Sequence, residues 1–311
     1  SSHKRVLPEE SPGILNLPQT VTKARKQTGI SVLFYKIGEL QPENLPVERV
    51  YLPFKYTISE KGIKTICQCK EKGVEVFSWV PSITRGRIDS LLEEKIESVL
   101  SVGLDGILAG NLGTLNLLSA FPSLKKAANF TLNAFNSFSV SEYSLMGLDS
   151  VTLSVEMTLS QLSSIRGRDN LNIEVLAYGS IPLMTSEHCP SGYISGCKDC
   201  SAGKDTCKTD RYALRDRKGI EFPIYTDSTD CRSTIFNPNI LFTGELTGKI
   251  ASCADILRLD ITEETQEDVE NLVALYRDLT HNTEGALRKH EALVRKIKEK
   301  GHTKGHFLRG V

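Results

Sequence analysis

The sequence lacks an excess of charge of either sign, a long apolar run and the motifs of several familiar enzyme classes. Lys plus Arg equals Asp plus Glu at 38 each, so the chain as a whole has no net attraction to nucleic acid. No apolar run approaches the ~18 residues of a membrane span. No Gly-x-Ser-x-Gly elbow, His-Glu-x-x-His helix or Walker phosphate loop occurs, which removes the usual signatures of serine hydrolases, zinc proteases and nucleotide binders.

The start of the chain has no apolar core of the kind that a secretory signal needs. Ser1–Gln27 is polar and basic, and we expect residues 1–29 to be a linker or an N-terminal arm. We therefore expect a reducing, cytoplasmic setting and no membrane partner. The opening Ser1-Ser2-His3 resembles an expression remnant, so the chain is expected to be a piece of a longer protein with additional domains.

What the sequence does contain is a cluster of thiols. Five of its eight cysteines lie in one 43-residue window, at Cys189, Cys197, Cys200, Cys207 and Cys231. Disulfides require an oxidising compartment, so a shared metal is the better explanation here. Structural zinc usually draws on two Cys-x-x-Cys knuckles, and this window has one. The uneven spacing favours an iron–sulfur cluster held by a folded loop, with zinc as the alternative.

Short apolar runs recur along the chain between helical patterns, as in parallel α/β folds. The predicted strands are Ile30–Tyr35, Arg49–Phe54, Val74–Val80, Gly106–Ala109, Phe130–Phe135, Ser150–Val155, Ile173–Tyr178 and Ala254–Leu259. The predicted helices between strands are Ser59–Lys72, Ile88–Val102, Leu112–Leu118 and Leu159–Ile165. Eight strands favour a (β/α)₈ barrel of the TIM type over a doubly wound open sheet, so we expect one barrel domain over residues 30–311.

The connection between strands seven and eight, residues 179–253, is far longer than its neighbours and carries the cysteines. Such a Cys-rich insertion leaves the C-terminal end of its strand, the face on which barrel active sites lie. After strand eight, Thr265 begins a capped helix, and residues 285–300 form a basic amphipathic helix. The basic face fits either an RNA backbone or simple solvation.

Polar side chains at predicted strand ends are the candidates for chemistry, and we expect Glu156, Tyr178 and Arg258 to face one shared cavity at the barrel mouth. Glu156 follows strand six as a possible general acid or base, or as a carboxylate at a helix start. Tyr178 ends strand seven and could donate a proton or stack on a base. Arg258 at strand eight could bind an anionic group bidentately, with Asp260 beside it as a substrate-binding candidate. Equally, Arg258 and Asp260 could pair with Asp216 or Arg217 to hold the long connection.

Other polar residues flank these positions. Asn133 and Asn136 could contact a substrate amide or base edge, or could close the loop backbone. Glu187 and His188 directly precede the first cysteine of the cluster. His188 could relay protons or bind metal, although a histidine beside a metal loop is as often structural.

Several short motifs of the sequence resemble those of peptidase family U-32, whose members include collagenase-like proteases. The matching motifs are Tyr178-Gly179, Pro182-Leu183-Met184, Cys189-Pro190-x-Gly192, Leu214-x-Asp216-Arg217-x-Gly219, Phe222-Pro223, Cys231-Arg232 and Gly305-His306-Phe307-x-Arg309-Gly310. The resemblance covers nearly all of the chain from about Ser31. In several relatives four cysteines of this region bind a 4Fe–4S cluster, and some relatives hydroxylate RNA bases or a quinone precursor without molecular oxygen.

The resemblance implies an enzyme with a 4Fe–4S cluster on Cys189, Cys197, Cys207 and Cys231, with Cys200 as the alternative to Cys197. It implies oxygen-independent hydroxylation of a tRNA or rRNA, or of a related substrate. It also brings His306 and Arg309, in the C-terminal tail, toward the barrel mouth as substrate-side groups. The alternatives are a collagenase-like peptidase with a structural zinc and a peptide substrate, and a non-catalytic binding domain whose metal only staples the loop.

Overall fold

Fourteen strands and eleven helices are seen in the parts of the chain that the computed structural model describes, residues 27–84, 87–166, 170–195, 212–226 and 232–310. The strands are β1 Gly29–Phe34, β2 Arg49–Pro53, β3 Glu75–Trp79, β4 Gly106–Ala109, β5 Lys125–Ala128, β6 Ser150–Thr152, β7 Asn172–Gly179, β8 Pro182–Ser186, β9 Tyr212–Arg215, β10 Glu221–Thr226, β11 Ser233–Phe236, β12 Ile240–Phe242, β13 Ile256–Ile261 and β14 His302–Thr303. The helices are α1 Phe54–Thr57, α2 Glu60–Glu71, α3 Arg87–Ser101, α4 Leu112–Leu118, α5 Ser137–Leu145, α6 Leu159–Ser163, α7 Pro190–Ser195, α8 Thr247–Ala251, α9 Gln266–His281, α10 Thr283–Lys289 and α11 Glu291–Glu299.

Within these ranges, β1 to β7 and β13 form a closed barrel of eight parallel strands, with helices between the strands. The barrel closes because β13 pairs on one side with β1, Gly29 opposite Ile256, and on the other with β7, Ile256 opposite Glu174. The (β/α)₈ prediction is therefore confirmed. The domain boundaries stay a prediction, since residues 1–26 of the expected arm lie outside the described ranges.

The helices begin where short polar side chains satisfy their first amide groups, as capping chemistry requires. Ser59 accepts a hydrogen bond from the Gly62 amide at the start of α2, and Asn111 does the same for α4. Thr265 accepts from the Asp268 amide, which confirms the predicted start of α9. These caps orient the helices so that their apolar faces pack on the outside of the barrel.

The core has two parts. The larger part lies between the barrel and its helices and is built from residues such as Val76 and Leu272. The smaller part fills one side of the barrel interior with Leu33, Tyr51, Phe77, Trp79, Leu108 and Ala127. Side chains alternate along each strand, so one set of positions faces inward and the other packs under the helices.

The fifth strand is not where the apolar pattern put it. Lys125–Ala128 pairs with β4 and β6, whereas the predicted segment, Phe130–Phe135, starts with a 3₁₀ turn over Phe130–Leu132. The Asn129 side chain accepts a hydrogen bond from the Phe130 amide and so ends the strand. Asn133 then adopts φ 54°, a left-handed conformation that no strand contains. The first half of β5 is polar because its residues lie at the rim of the barrel, so the apolar pattern did not mark it as a strand.

The predicted C-terminal helix over residues 285–300 is two helices. α10 ends and α11 begins at His290, whose φ of −106° and ψ of 28° break the helical geometry. Its ring lies 2.8 Å from a carboxylate oxygen of Asp278 on α9, which fixes the corner. None of the helices in the described ranges is both long and apolar enough to cross a membrane.

The long connection after β7 forms a second sheet. Strands β8, β11, β10 and β9 pair in that order, and all the pairs are antiparallel. β12 then runs antiparallel to the end of β7, and β14, near the C-terminus, pairs with β12. The connection leaves from Gly179, at the C-terminal end of its strand, as predicted.

Gly179 at this exit offers a test of the fold. It has φ 127°, and a β-carbon there would lie 2.4 Å from the carbonyl oxygen of Asp260. Gly147 also has positive φ, 72°, but no described atom within 4 Å of such a carbon. Gly147→Ala should cost about 1–2 kcal/mol from backbone strain alone. Gly179→Ala should cost a further ~1–3 kcal/mol from overlap. Thermal unfolding of the two variants measures the difference, and equal losses would contradict this packing.

Candidate functional site

The inserted sheet of β8 to β11 covers the C-terminal mouth of the barrel. The Tyr225 hydroxyl donates a hydrogen bond to the Tyr35 carbonyl oxygen at 3.0 Å, just beyond β1. The Arg232 guanidinium donates to the Ile83 carbonyl oxygen at 2.6 Å, beyond β3. The Phe236 ring meets the Tyr35 ring edge-on, with centroids 5.0 Å apart. These contacts make the inner face of the sheet a roof over the strand ends.

Two cavities lie beneath this roof. The central cavity, about 90 Å³, lies over the ends of β1, β3 and β5. It is lined by Leu33, Tyr35, Trp79, Val80, Pro81, Ser82, Ile83, Asn129, Phe130, Thr131, Pro182, Thr185, Tyr225, Arg232 and Thr234. The lateral cavity, about 350 Å³, opens between the ends of β7 and β13, the sheet and the helices α9 and α11. Its volume is in the range of sites for small molecules.

The polar end of the lateral cavity is built around Glu264. Its Oε2 accepts hydrogen bonds from the amides of Thr262 at 2.8 Å and Glu263 at 3.0 Å, and its Oε1 accepts from the Tyr178 hydroxyl at 3.0 Å. Burial, followed by the charge of Glu264, raises the pKa of Tyr178 well above its usual range. Tyr178 therefore remains a hydrogen-bond donor at any working pH and cannot serve as a base there.

The other wall of the lateral cavity carries cations. Lys296 of α11 forms a 2.6 Å ion pair with Asp268 of α9. Lys36 places its ammonium 5.3 Å from the centroid of the Tyr225 ring. With Glu264 opposite, the cavity presents both signs of charge around an apolar floor that includes Leu272 and Ile297. It suits an amphipathic ligand better than a purely anionic or apolar one.

A buried ionic cluster lies below the central cavity. Arg258 is fully buried, with its Nε 2.8 Å from Asp260 Oδ1 and 3.7 Å from Glu174 Oε1. Tyr51 donates a 2.5 Å hydrogen bond to the other oxygen of Glu174. Arg258 also donates from NH1 to Thr152 Oγ1 at 3.2 Å. Charged groups replace aliphatic residues on this side of the barrel interior.

Burial and neighbouring charge oppose each other in this cluster. Burial disfavours charge on Arg258, but Asp260 and Glu174 outweigh it, so the pKa of Arg258 is raised and the guanidinium stays charged. Burial raises the pKa of Asp260 to about 6, although Arg258 works in the opposite direction.

The structure does not bring Glu156, Tyr178 and Arg258 to one cavity, which corrects the expectation that their strand-end positions would converge. Arg258 points into the barrel because it alternates with Leu257 and Leu259 along β13, and it pairs with Asp260 rather than with the insertion. Tyr178 lines the lateral cavity. Glu156 lies exposed in the loop after β6 and borders neither cavity. A catalytic role for each stays a prediction.

The remaining candidates fall into a loop, the insertion and the tail. Asn133 closes the turn after β5 with its left-handed backbone, and Asn136 caps α5 by accepting from the Ser139 amide at 3.0 Å. These roles match the second interpretation offered for the two asparagines, in which they close the loop backbone rather than contact a substrate. His306 Nδ1 lies 3.0 Å from the Gly310 carbonyl oxygen, and Arg309 is exposed. The tail packs against α6 through a bond from the Leu159 amide to the Phe307 carbonyl, and neither cavity includes it.

Glu187, His188 and Cys189 follow β8. Glu187 lies 3.8 Å from Arg232, and the His188 ring lies 5.9 Å from the Tyr193 ring. Cys189 is half-buried and not in a disulfide, and its Sγ accepts a hydrogen bond from the Gly192 amide at 3.2 Å. Cys197, Cys200, Cys207 and Cys231 lie outside the described residues. Among the residues inside those ranges, no three His, Cys, Asp or Glu side chains gather as a metal site would require.

The sequence interpretation missed the residues that line the central cavity, above all Asn129, and missed Glu264 in the lateral one. Asn129 directly follows β5, so the displaced fifth strand hid it. Trp79 ends β3 and is the single tryptophan of the chain, a signal that could have been used. Glu264 stands beside the Thr265 cap and reads as an ordinary helix-start carboxylate.

Comparison with known proteins gives one family. The model described as Peptidase family U32 matches residues 54–310. No curated protein matches the chain. A solved structure of the U32 peptidase Mk0906 has 10% identity and a TM-score of 0.45, covering 81% of this chain and 99% of that one. A chitinase from Chromobacterium violaceum ATCC 12472 has 9% identity and a TM-score of 0.39, covering 80% and 99%. The YdjI aldolase from Escherichia coli K12 has 12% identity and a TM-score of 0.38, covering 88% and 92%. With TM-scores below 0.5, these three structures carry no further argument.

Glu156→Gln distinguishes a catalytic role of the exposed Glu156 side chain from a structural one. Its carboxylate makes no hydrogen bond within the described residues, so the free energy of unfolding should change by less than ~0.5 kcal/mol. If Glu156 is the general acid or base, turnover should fall roughly 10²-fold. Parallel measurements of melting temperature and turnover check this. Unchanged turnover, or a loss of stability that matches the loss of turnover, would remove the predicted role.

Tyr178→Phe tests the bond to Glu264, with Tyr143→Phe as the matched control. Tyr143 also donates one hydrogen bond, to the Leu132 carbonyl oxygen at 2.7 Å, but its acceptor is neutral. Loss of a bond to a carboxylate should cost about 1.5–3 kcal/mol of unfolding free energy, against about 1 kcal/mol for the control. The cost of Tyr178→Phe should stay constant between about pH 6 and 9 and fall as the pH rises above about 10, because the phenol then ionises in the unfolded chain while its raised pKa keeps it protonated in the folded one. A cost that does not fall above about pH 10 would contradict the raised pKa.

Proposed function

The chain belongs to peptidase family U32, and on that premise we propose that it is an iron–sulfur enzyme that hydroxylates an RNA base without molecular oxygen. The cluster would be a 4Fe–4S group held by Cys189, Cys197, Cys207 and Cys231, with Cys200 able to replace Cys197. When bound, such a group supplies electron transfer or an open iron that can bind a substrate oxygen. The observation that carries the proposal is the environment of Cys189 at the barrel mouth.

Cys189 has surroundings that suit a cluster ligand. A structural cysteine is normally dispersed in an apolar core, as Cys69 is, and burial raises the pKa of that thiol to about 12. Cys189 is instead half-buried, and its sulfur already accepts a backbone amide hydrogen at 3.2 Å. Hydrogen bonds to the sulfurs are among the features by which a protein tunes such clusters. The surroundings of Cys189 therefore suit a thiolate ligand.

The pairing of β8 with β11 supports placing that group near the mouth. Ser186 of β8 pairs with Ser233 of β11. In the sequence, Cys189 follows Ser186 by three residues, and Cys231 precedes Ser233 by two. Arg232, the residue between, contacts Ile83 over the end of β3. A cluster on these cysteines would thus be tethered at the edge of the roof, beside the central cavity.

The chain's own residues supply what a base substrate needs. Tyr35, Trp79 and Phe130 give the central cavity aromatic walls, and Arg232 adds a cation at its rim. Unstacked RNA bases bind by stacking on aromatic side chains and by hydrogen bonds to their edges. The inserted sheet covers the strand ends, and polar contacts are stronger in a covered site than in open water. A protonated Tyr178 and a rigidly held Glu264 lie to the side, in the lateral cavity.

The peptidase alternative needs a nucleophile with a general base, or a metal-activated water. His188 and Cys189 are neighbours in sequence, and such neighbours rarely have the geometry of a catalytic pair. A structural zinc in place of iron would favour this alternative, and a metal without turnover of either kind would favour a binding domain. Metal analysis is therefore the measurement that separates the three.

Cys189→Ser is the test, with Cys67→Ser as control. Anaerobically purified protein should contain about four irons and four sulfides per chain and absorb near ~400 nm. Cys189→Ser should lose most of the iron and the absorbance, because a cluster ligand is removed. Cys67 is exposed on α2, away from the insertion, so its replacement should leave both unchanged.

The metal content and the reaction products distinguish the iron–sulfur enzyme from its alternatives. Zinc at one equivalent with no sulfide in anaerobic protein would replace the cluster by the structural-zinc alternative. A full iron and sulfide content in Cys189→Ser would refute this ligand assignment. RNA incubated anaerobically with the intact holoenzyme, water as the oxygen source and an acceptor for the two electrons released should yield a nucleoside one oxygen heavier by mass spectrometry, and release of peptides instead would favour the protease.

A further inference from the structure

Asn129 is the polar side chain that joins the buried ionic cluster to the central cavity. It directly follows β5 and lines that cavity while being only half-buried. Its Oδ1 accepts two hydrogen bonds, from Arg258 NH1 at 3.0 Å and from the Phe130 amide at 2.9 Å. Both lone pairs of this oxygen are therefore used.

These two donors fix which way the amide faces. If the group were turned over, its NH₂ would meet the guanidinium and the Phe130 amide, and donors would face donors. The NH₂ must therefore occupy the other side of the side chain. No acceptor among the described residues is hydrogen-bonded to Nδ2, and the atom is not sealed off from solvent or cavity.

Arg258 holds this orientation rigidly. It is fully buried, lies 2.8 Å from Asp260, and also donates to Thr152 Oγ1 at 3.2 Å. Its guanidinium carbon lies 5.4 Å from the centroid of the Phe130 ring, which belongs to the cavity wall. A buried guanidinium whose NH1 and NH2 groups donate to Asn129, Thr152 and Asp260 has few alternative positions, so the amide it binds is preorganised.

Two other polar groups of the central cavity already have partners. Trp79 Nε1 donates to the Phe34 carbonyl oxygen at 2.8 Å, and Thr131 Oγ1 donates to the Gly110 carbonyl oxygen at 2.8 Å. The indole is therefore an apolar wall. The volume of about 90 Å³ equals roughly three waters, enough for the edge of one planar ring.

We propose that the Asn129 NH₂ group binds a carbonyl oxygen on a planar ring of the ligand in the central cavity, and that Arg258 is a positioning residue acting through Asn129. The choice of a pyrimidine carbonyl as the probe rests on the proposed function, whereas the donor itself follows from the hydrogen bonds. Because the Asn129 oxygen has no lone pair to spare, the site accepts a carbonyl edge and disfavours an amino group there.

Asn129→Asp removes the proposed donor. An aspartate keeps an oxygen for Arg258 and for the Phe130 amide, and its second oxygen replaces the cavity-facing NH₂ with a negatively charged acceptor, which repels a ligand carbonyl. KM for the RNA substrate should rise at least about tenfold with little change in kcat, because ground-state and transition-state binding are lost alike. The matched control is Asn282→Asp at the cap of α10, where aspartate caps as well as asparagine.

Arg258→Lys tests the positioning role while keeping a buried positive charge beside Asp260. A lysine cannot reproduce the fork that serves Asp260, Thr152 and Asn129 together. If Arg258 acts through Asn129, the double variant with Asn129→Asp should raise KM no more than Asn129→Asp alone. Loss of the buried fork lowers the melting temperature in either case; a purely structural role would in addition make the effect of Arg258→Lys on KM add to that of Asn129→Asp.

A direct binding measurement keeps the inference testable apart from turnover. Holoenzyme with ¹⁵N-labelled asparagine should show an Asn129 NH₂ pair, identified by its absence from Asn129→Asp, that shifts with uridine and not with ribose. That shift would support the contact even if no RNA is hydroxylated, in which case the proposed function alone fails. No shift at millimolar uridine, or unchanged KM in Asn129→Asp of an active enzyme, would overturn the inference.

Discussion

The guanidinium of Arg258 is the charge on which the mouth of this barrel depends. An arginine with no exposed surface is tolerated only if its charge is neutralised and its donors are used. Asp260 and Glu174 neutralise the charge, and Asp260, Thr152 and Asn129 accept hydrogen bonds from the guanidinium; together with Arg258 itself, these residues come from four segments of the chain. The need to satisfy one buried charge therefore fixes β6, β7, β13 and the end of β5 relative to one another.

This constraint divides the barrel interior into two halves with different uses. The apolar half, with Phe77 and Leu108, is ordinary packing and supports the roof through Trp79 and Tyr35. The ionic half carries a defined polar arrangement up to the strand ends. Barrel enzymes place their chemistry at this face because loops vary there while the strands stay rigid. The inserted sheet then closes the face and divides it into a central and a lateral cavity.

Particular residues show how far the sequence could be interpreted. The short apolar runs correctly predicted β1 to β4, β6, β7 and β13, because strands that are buried on both faces are apolar along nearly their whole length. The position of the fifth strand was predicted wrongly, because Phe130–Phe135 has a higher strand propensity than Lys125–Ala128. In the structure, the cap formed by Asn129 outweighs that propensity. Arg258 and Asp260 were located on their strand correctly. Their direction, into the barrel rather than toward an open mouth, required the neighbouring strands.

The sequence by itself determined the repeat of strands and helices, the capped start of α9, the oversized connection after β7 and the concentration of thiols within it. These features are local, so spacing and composition carry them. The tertiary structure decided which polar groups meet, namely Tyr178 with Glu264 and Arg258 with Asn129, residues 86 and 129 positions apart. Hydrogen bonds over such separations depend on barrel closure and strand register, and no local pattern in the sequence encodes them.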